Sequence, residues 1–116
     1  MNAIFSLHGH SSRVDDLRIA SFPLVIGRSP DADISLCDRW VSRRHCLVEE
    51  QDGRLIVRDL GSKHGTFVND SLVSESTLLP GDRLSVGLTT LVARYDLSDS
   101  APAAARPAAA YNVTVD

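Results

Sequence analysis

An all-β sandwich or barrel is the fold class this sequence predicts, on two observations. Short runs of branched and aromatic apolar residues recur at close spacing between glycine, proline, asparagine and aspartate turns, and no stretch keeps a convincing 3.6-residue period. A third observation bounds the size: at 116 residues, 43% hydrophobic, the chain has apolar material for one core and too little length for two ordinary domains.

Taken in order, Ala3 to His8 is a mostly apolar run ending in the turn composition Gly9-His10-Ser11-Ser12, and is expected to be the first strand. Leu17 to Ala20 and Phe22 to Ile26 together are expected to form a second, with Pro23 marking an edge or a bend. It delivers Gly27-Arg28 to the turn Ser29-Pro30-Asp31-Ala32-Asp33, and Ile34 to Leu36 follows as a very short strand. Asp38 to Arg43 has no clean period and reads as an exposed loop. His45 to Glu50 is expected as a strand with Cys46 and Val48 on one face and His45 and Leu47 on the other. Asp52-Gly53 is a hairpin turn, so Leu55 to Asp59 pairs back. Leu60 to Gly65, with two glycines, reads as a tight irregular loop. Phe67-Val68, Leu72-Val73, Leu78-Leu79, Leu84 to Val86 and Thr89 to Tyr95 complete the expected strands.

After Asp96 the composition shifts to alanine and proline. Residues 1–96 are expected to form the domain and 97–116 a flexible tail or linker, because two prolines and few large apolar residues leave a helix nothing to bury. Tyr111 to Asp116 is strand-like again and is read as the beginning of a further segment, the module being one end of a longer protein.

Val41-Ser42-Arg43-Arg44-His45 places a hydroxyl, two guanidinium groups and an imidazole within five residues. These are the parts of an anion site, since the arginine fork matches phosphate oxygens in a way that lysine does not. Gly27-Arg28 before it and Ser62-Lys63-His64-Gly65-Thr66 after it are expected to close round the same ligand, which makes the chain a phosphate-dependent binding module. Alone, Arg28 reads equally well as a loop arginine paired with Asp31 or Asp33. Arg44 is expected to be a solvated charge and His45 a buried, hydrogen-bonded histidine, while Trp40 is left between packing at the loop base and touching ligand.

A net charge of -3 argues against nucleic-acid binding, although a local basic site is compatible with it. Of the twelve basic residues all but Lys63 are arginine, which together with the alanine content suggests a bacterial source. Two cysteines, Cys37 and Cys46, make no disulfide framework, and no signal peptide or membrane span is read, so a cytoplasmic location is expected, with no membrane partner. No cofactor is expected. His8 and His10 are more simply solvent-facing polar residues than ligands, so no metal is expected either. Ser42, His45 and Asp59 are the residue types of a hydrolytic triad but lack a nucleophile elbow, and no P-loop occurs, so the chain is not expected to be an enzyme.

Gly27-Arg28, Ser42-Arg43-Arg44-His45 and the run Asp59-Leu60-Gly61-Ser62-Lys63-His64-Gly65-Thr66-Phe67-Val68-Asn69 together resemble, in order and spacing, the signature of forkhead-associated (FHA) domains. The resemblance covers roughly residues 3–95. It implies an eleven-stranded β-sandwich of two antiparallel sheets that binds phosphothreonine peptides through loops at one end. By this resemblance Arg28, Ser42 and Arg43 match phosphate-contacting positions, and Ser62, Lys63 and His64 form the loop expected to touch the peptide. His45 matches a residue that braces the binding loop, and Gly27, Gly65, Thr66 and Asn69 match structural positions. One position departs from the pattern: His64 stands where the family usually has asparagine, and an imidazole does not reproduce the donor and acceptor of a planar amide.

The function expected is a phosphothreonine reader in serine/threonine kinase signalling, whose partners are a phosphothreonine-containing protein or peptide and the kinase or its substrate. The reading of a different class is a phosphate-independent interaction or assembly domain, with His64 recording altered specificity. Thr114 in the tail raises a further idea, that the tail is phosphorylated and bound by its own or a neighbouring domain.

Overall fold

The computed structural model describes residues 1–8 and 14–97. The tail beyond them, with Thr114 and most of the expected linker, and His10 of the first turn lie outside the described residues. Eleven strands follow one another: β1 (Ala3–His8), β2 (Val14–Ile19), β3 (Leu24–Gly27), β4 (Ile34–Ser35), β5 (Cys46–Gln51), β6 (Arg54–Asp59), β7 (Thr66–Val68), β8 (Ser71–Val73), β9 (Glu75–Leu78), β10 (Arg83–Val86) and β11 (Thr89–Tyr95). They form a six-stranded sheet ordered β2-β1-β11-β10-β7-β8 and a five-stranded sheet ordered β4-β3-β5-β6-β9. Among the described residues there is no helix.

The sheets face each other because alternate residues are apolar. Phe5, Leu84, Val86, Leu91 and Ala93 point inward from one sheet and Leu24, Ile26, Cys46, Val48, Leu55, Val57 and Leu78 from the other, each almost fully buried. The β5–β6 hairpin turns through Asp52 and Gly53, both at positive φ, with Gln51 opposite Arg54.

Four expectations are corrected. The single second strand is two strands in different sheets: β2 pairs with β1, β3 pairs with β5, and the chain crosses the sandwich at residues 20–23. Proline at 23 has no N–H to give a ladder, so the apolar run on either side of it does not continue as one strand. The first of the two begins at Val14, earlier than expected, because Asp16 faces outward and is held there by Ser6 Oγ at 2.7 Å and Arg94 Nη2 at 3.1 Å. Pairing is antiparallel except between β3 and β4, where Ile26 lies beside Ile34 in parallel register. β9 runs Glu75–Leu78 and stops before Leu79, whose N–H instead donates to Asp82 Oδ2 at 2.7 Å in the following turn.

Tyr95, the last residue of β11, ties the two sheets together. Its hydroxyl donates to the Leu78 carbonyl at 2.5 Å and accepts from the Leu55 N–H at 3.3 Å, and burial pushes its pKa up so that the donor is retained. Replacing Tyr95 by Phe strands both backbone groups in a partly buried place, so urea unfolding should show a loss of about 1–3 kcal/mol with an unchanged m-value.

Candidate functional site

The ends of β3, β4, β6 and β10 and the starts of β5, β7 and β11 lie at one end of the sandwich, since Ile26 pairs with Cys46, Cys46 with Asp59 and Thr66 with Val86. Residues 28–33, 36–45, 60–65 and 87–88 therefore form neighbouring loops. The first two are stitched together by backbone: Arg28 N–H donates to Ser42 O at 2.9 Å and Ser29 N–H to Arg43 O at 3.1 Å. A Cβ at Gly27 would sit 2.0 Å from the Arg43 carbonyl oxygen, so only glycine permits this approach. Arg28 is further aimed by its own Nε, which donates to Val41 O at 3.1 Å. Arg28, Ser42 and Arg43 are thus brought to one place, with Arg28 and Arg43 exposed and Ser42 half-buried. Neither arginine enters an ion pair among the described residues, and the pairing of Arg28 with Asp31 or Asp33 does not occur; Asp33 instead accepts the Val25 N–H at 2.8 Å.

His45 is completely buried and does not lie on the half-exposed face of Leu47, because β5 begins only at Cys46. Its Nδ1 accepts the Ser42 N–H at 3.0 Å and its Nε2 lies 2.7 Å from the Gly65 carbonyl. A backbone N–H can only donate and a carbonyl can only accept, so the ring is the neutral tautomer with its proton on Nε2. The imidazole thereby joins the 36–45 loop to the 60–65 loop. The hydrolytic arrangement is not assembled: His45 meets the backbone of Ser42, and Asp59 is committed elsewhere.

Asp59 organises the 60–65 loop from beneath. Its Oδ2 accepts the N–H groups of Gly61 and Ser62, each at 3.0 Å, and its Oδ1 accepts Ser62 Oγ at 2.5 Å and Thr66 Oγ1 at 2.6 Å. Ser62 Oγ in turn accepts the Gly65 N–H at 2.9 Å, so this hydroxyl, expected at the peptide, is engaged within its own loop. Gly65 has φ +94°, and a Cβ there would also meet Leu72 Cδ1 at 2.6 Å. Burial raises the Asp59 pKa, but the hydrogen bonds from Ser62, Thr66 and the loop backbone outweigh it and the net shift is downward.

The Lys63 N–H donates to Ser42 Oγ at 3.0 Å, leaving the Ser42 hydroxyl proton available to an incoming acceptor. The side chains of Lys63 and His64 are exposed, as is Arg44. Asn69 stands at the other end of β7, where it bonds Asp82 and Arg83 rather than the loops around Ser42. Burial, followed by the charge of Asp59, pushes the Cys46 thiol up to about 12, which makes it an unreactive core residue.

Two features were not anticipated from sequence. Asp38, only 5% exposed, caps the Trp40 N–H and accepts from Leu88 N–H and Thr89 Oγ1 at 2.8 and 2.9 Å, fastening the 36–45 loop to the β10–β11 turn. An aspartate in an aperiodic segment carries no local sign of such a distant partner. Trp40 is 42% exposed and meets His64 edge to face with ring centroids 5.1 Å apart, while the Arg39 guanidinium lies 5.6 Å from the indole centroid.

A sandwich whose loops gather at one end around guanidinium groups that enter no ion pair among the described residues defines a recognition module. The FHA domain family model matches residues 24–87, and the chain belongs to that family. It is 44% identical over 66 residues to an oxoglutarate dehydrogenase inhibitor of Corynebacterium diphtheriae, a match covering 57% of this chain and 46% of that protein. Over the same length it is 44% identical to the glycogen accumulation regulator GarA of Mycolicibacterium smegmatis, covering 57% and 42% respectively. The chain thus spans less than half the length of either relative. Among solved structures it is similar to an FHA domain from an analysis of phosphothreonine-dependent interactions, with TM-score 0.73, 30% identity, and coverage of 83% of this chain and 98% of that one. It is likewise similar to the FhaA FHA domain complexed with the intracellular domain of Rv3910, with TM-score 0.70, 32% identity, and coverage of 79% and 99%.

The loop account predicts a pH signature. The ionised Asp59 contributes stability that is complete above its unfolded pKa near 3.8 and lost as pH falls through the lower folded value. Asp59→Asn should cost about 1–3 kcal/mol at neutral pH, and denaturant titrations should show that gap closing below about pH 4.

Proposed function

We propose that residues 1–96 form a phosphothreonine-peptide recognition module of serine/threonine kinase signalling, which recruits or regulates an attached or associated protein. The observation that carries this reading is the convergence of Arg28, Ser42 and Arg43 on two loops stitched to each other and locked by His45, with neither arginine in an ion pair among the described residues. A phosphothreonine brings about -1.5 to -2 charges and three acceptor oxygens near neutral pH, which two arginine forks and a hydroxyl proton complement. The similar FHA domain studied for phosphothreonine-dependent interactions supports the ligand class, and the two relatives named as an enzyme inhibitor and a regulator support a regulatory rather than catalytic role.

In this reading Lys63 and His64 border the peptide, while Gly27, His45, Gly65 and Thr66 hold the loops that present the phosphate donors. Threonine is told from serine by one methyl group, which an apolar contact values at about 1–3 kcal/mol. The partners are a phosphothreonine-bearing protein or peptide and the serine/threonine kinase or its substrate.

Removing Arg28 deletes a charged hydrogen-bond fork worth about 1.5–3 kcal/mol. Arg28→Ala should therefore weaken binding of a phosphothreonine peptide by about tenfold to a hundredfold in a calorimetric titration, with the unfolding midpoint little changed. An unaltered affinity in the folded variant would take Arg28 out of the site.

A further inference from the structure

The two histidines of the loop end stand in opposite circumstances. Both ring nitrogens of His45 are engaged, with the Ser42 N–H and the Gly65 carbonyl, and the ring is completely buried. The His64 ring is exposed and makes no hydrogen bond among the described residues, so both of its nitrogens face solvent. Its position is nevertheless fixed. The residue before it donates its N–H to Ser42 Oγ at 3.0 Å, and the residue after it donates its N–H to Ser62 Oγ at 2.9 Å and gives its carbonyl to His45. The side chain then meets the Trp40 indole edge to face, with ring centroids 5.1 Å apart. Trp40 is itself anchored by its N–H on Asp38 Oδ1 at 3.0 Å. An imidazole is thus held one residue along the chain from the group that bonds the Ser42 hydroxyl.

The charges around it are mostly of one sign. Its own loop carries exposed Lys63, and the 36–45 loop carries exposed Arg39, Arg43 and Arg44, with the Arg39 guanidinium 5.6 Å from the same indole centroid. Arg28 adds a further exposed cation from the neighbouring 28–33 loop. The acids on these loops are engaged elsewhere: Asp59 holds the 60–65 loop from beneath, Asp38 is 5% exposed and accepts from Trp40, Leu88 and Thr89, and Asp33 accepts the Val25 N–H. Exposed Asp31 lies in the turn after Arg28 and exposed Cys37 at the start of the 36–45 loop. A proton on His64 is therefore opposed by its neighbours in the free protein. A bound dianion reverses that balance, because it sits among the same cations and attracts one more.

We propose that His64 is a proton-coupled element of the phosphate site: its ring takes up a proton from the buffer as the phosphate dianion arrives and becomes a further cation beside it. The inference rests on the phosphothreonine reading and deepens it by making recognition depend on pH. Histidine suits this role because it is the side chain whose charge ordinarily changes between pH 5 and 8. Trp40 positions the ring, and an indole tolerates a cation against it. Uptake of a proton on binding fixes the sign: the affinity contributed by His64 is greatest on the acid side of the histidine range and is lost as pH rises through it. The second ionisation of the phosphate, near pH 6, works the other way, so the histidine contribution is read against variants and not from the wild-type profile alone.

The test is a calorimetric titration of one phosphothreonine peptide, free of histidine and of acidic flanks, into the wild-type protein, His64→Asn and His64→Gln. It runs from about pH 8 to about pH 6, each point in two buffers of different ionisation enthalpy. The peptide and His45 are common to all three proteins, so their own titrations cancel in the ratio of affinities. That ratio, wild type over variant, should rise about threefold to tenfold toward acid pH, and the buffer dependence of the heat should show more proton uptake by the wild type than by either variant. A ratio that stays constant, whatever its size, overturns the inference, because a steric or main-chain role for the ring carries no pH dependence. A ratio that falls toward acid pH, or equal proton uptake by all three proteins, overturns it as well. Failure of the folded wild type to bind any phosphothreonine peptide at any of these pH values rejects the phosphothreonine reading, and the role of His64 with it.

Discussion

The loop end of the sandwich is organised around one buried imidazole. Besides the ring contacts to Ser42 N–H and the Gly65 carbonyl, the His45 backbone donates to Ile26 O and accepts from Leu60 N–H, each at 2.9 Å. One residue thus connects β3, the 36–45 loop, the end of β6 and the approach to β7. A buried polar group left without partners is costly, so the ring enforces the distance between the loops as much as it benefits from it.

From this constraint follows a division of labour among the polar groups. Those that point inward are consumed by the fold: Asp59 holds the 60–65 loop, Asp38 fastens the 36–45 loop to the β10–β11 turn, and Ser62 is spent between Asp59 and Gly65. Those that point outward on these loops include Arg28, Arg43 and Lys63, which enter no ion pair among the described residues. The loops are therefore rigid where they meet the core and chemically available where they meet solvent. Preorganisation of this kind lowers the ordering cost of binding, which lets a small site hold a charged ligand.

Much of this was legible in the residues. Alternation of apolar side chains located nearly every strand, Asp52-Gly53 marked its hairpin, and Arg28, Ser42 and Arg43, grouped by their chemistry, do come together on neighbouring loops. What escaped depends on contacts between residues distant in sequence. The crossing at residues 20–23 was hidden because Leu17, Ile19, Leu24 and Ile26 are equally apolar whichever sheet they join. Val14 to Asp16 looked polar until Ser6 and Arg94 supplied partners from β1 and β11. Asp38 reaches Leu88 and Thr89 about fifty residues away, and Ser62 was read as a ligand contact because its aspartate acceptor was not visible from spacing alone. The meeting of Trp40 with His64 likewise required both loops to be in place. It accounts for where the histidine ring goes at the position that departs from the family's asparagine.

Trp40 is the only tryptophan and lies at the edge of the proposed site, so its fluorescence reports occupancy directly. The most direct measurement is a parallel titration of the protein with degenerate phosphothreonine, phosphoserine and unphosphorylated peptide pools, following that signal together with peptide anisotropy. The account predicts saturable binding to the phosphothreonine pool, weaker binding to phosphoserine, and loss of binding on phosphatase treatment. Equal binding of the phosphorylated and unphosphorylated pools by the folded protein would contradict it and assign the loop end to phosphate-independent assembly.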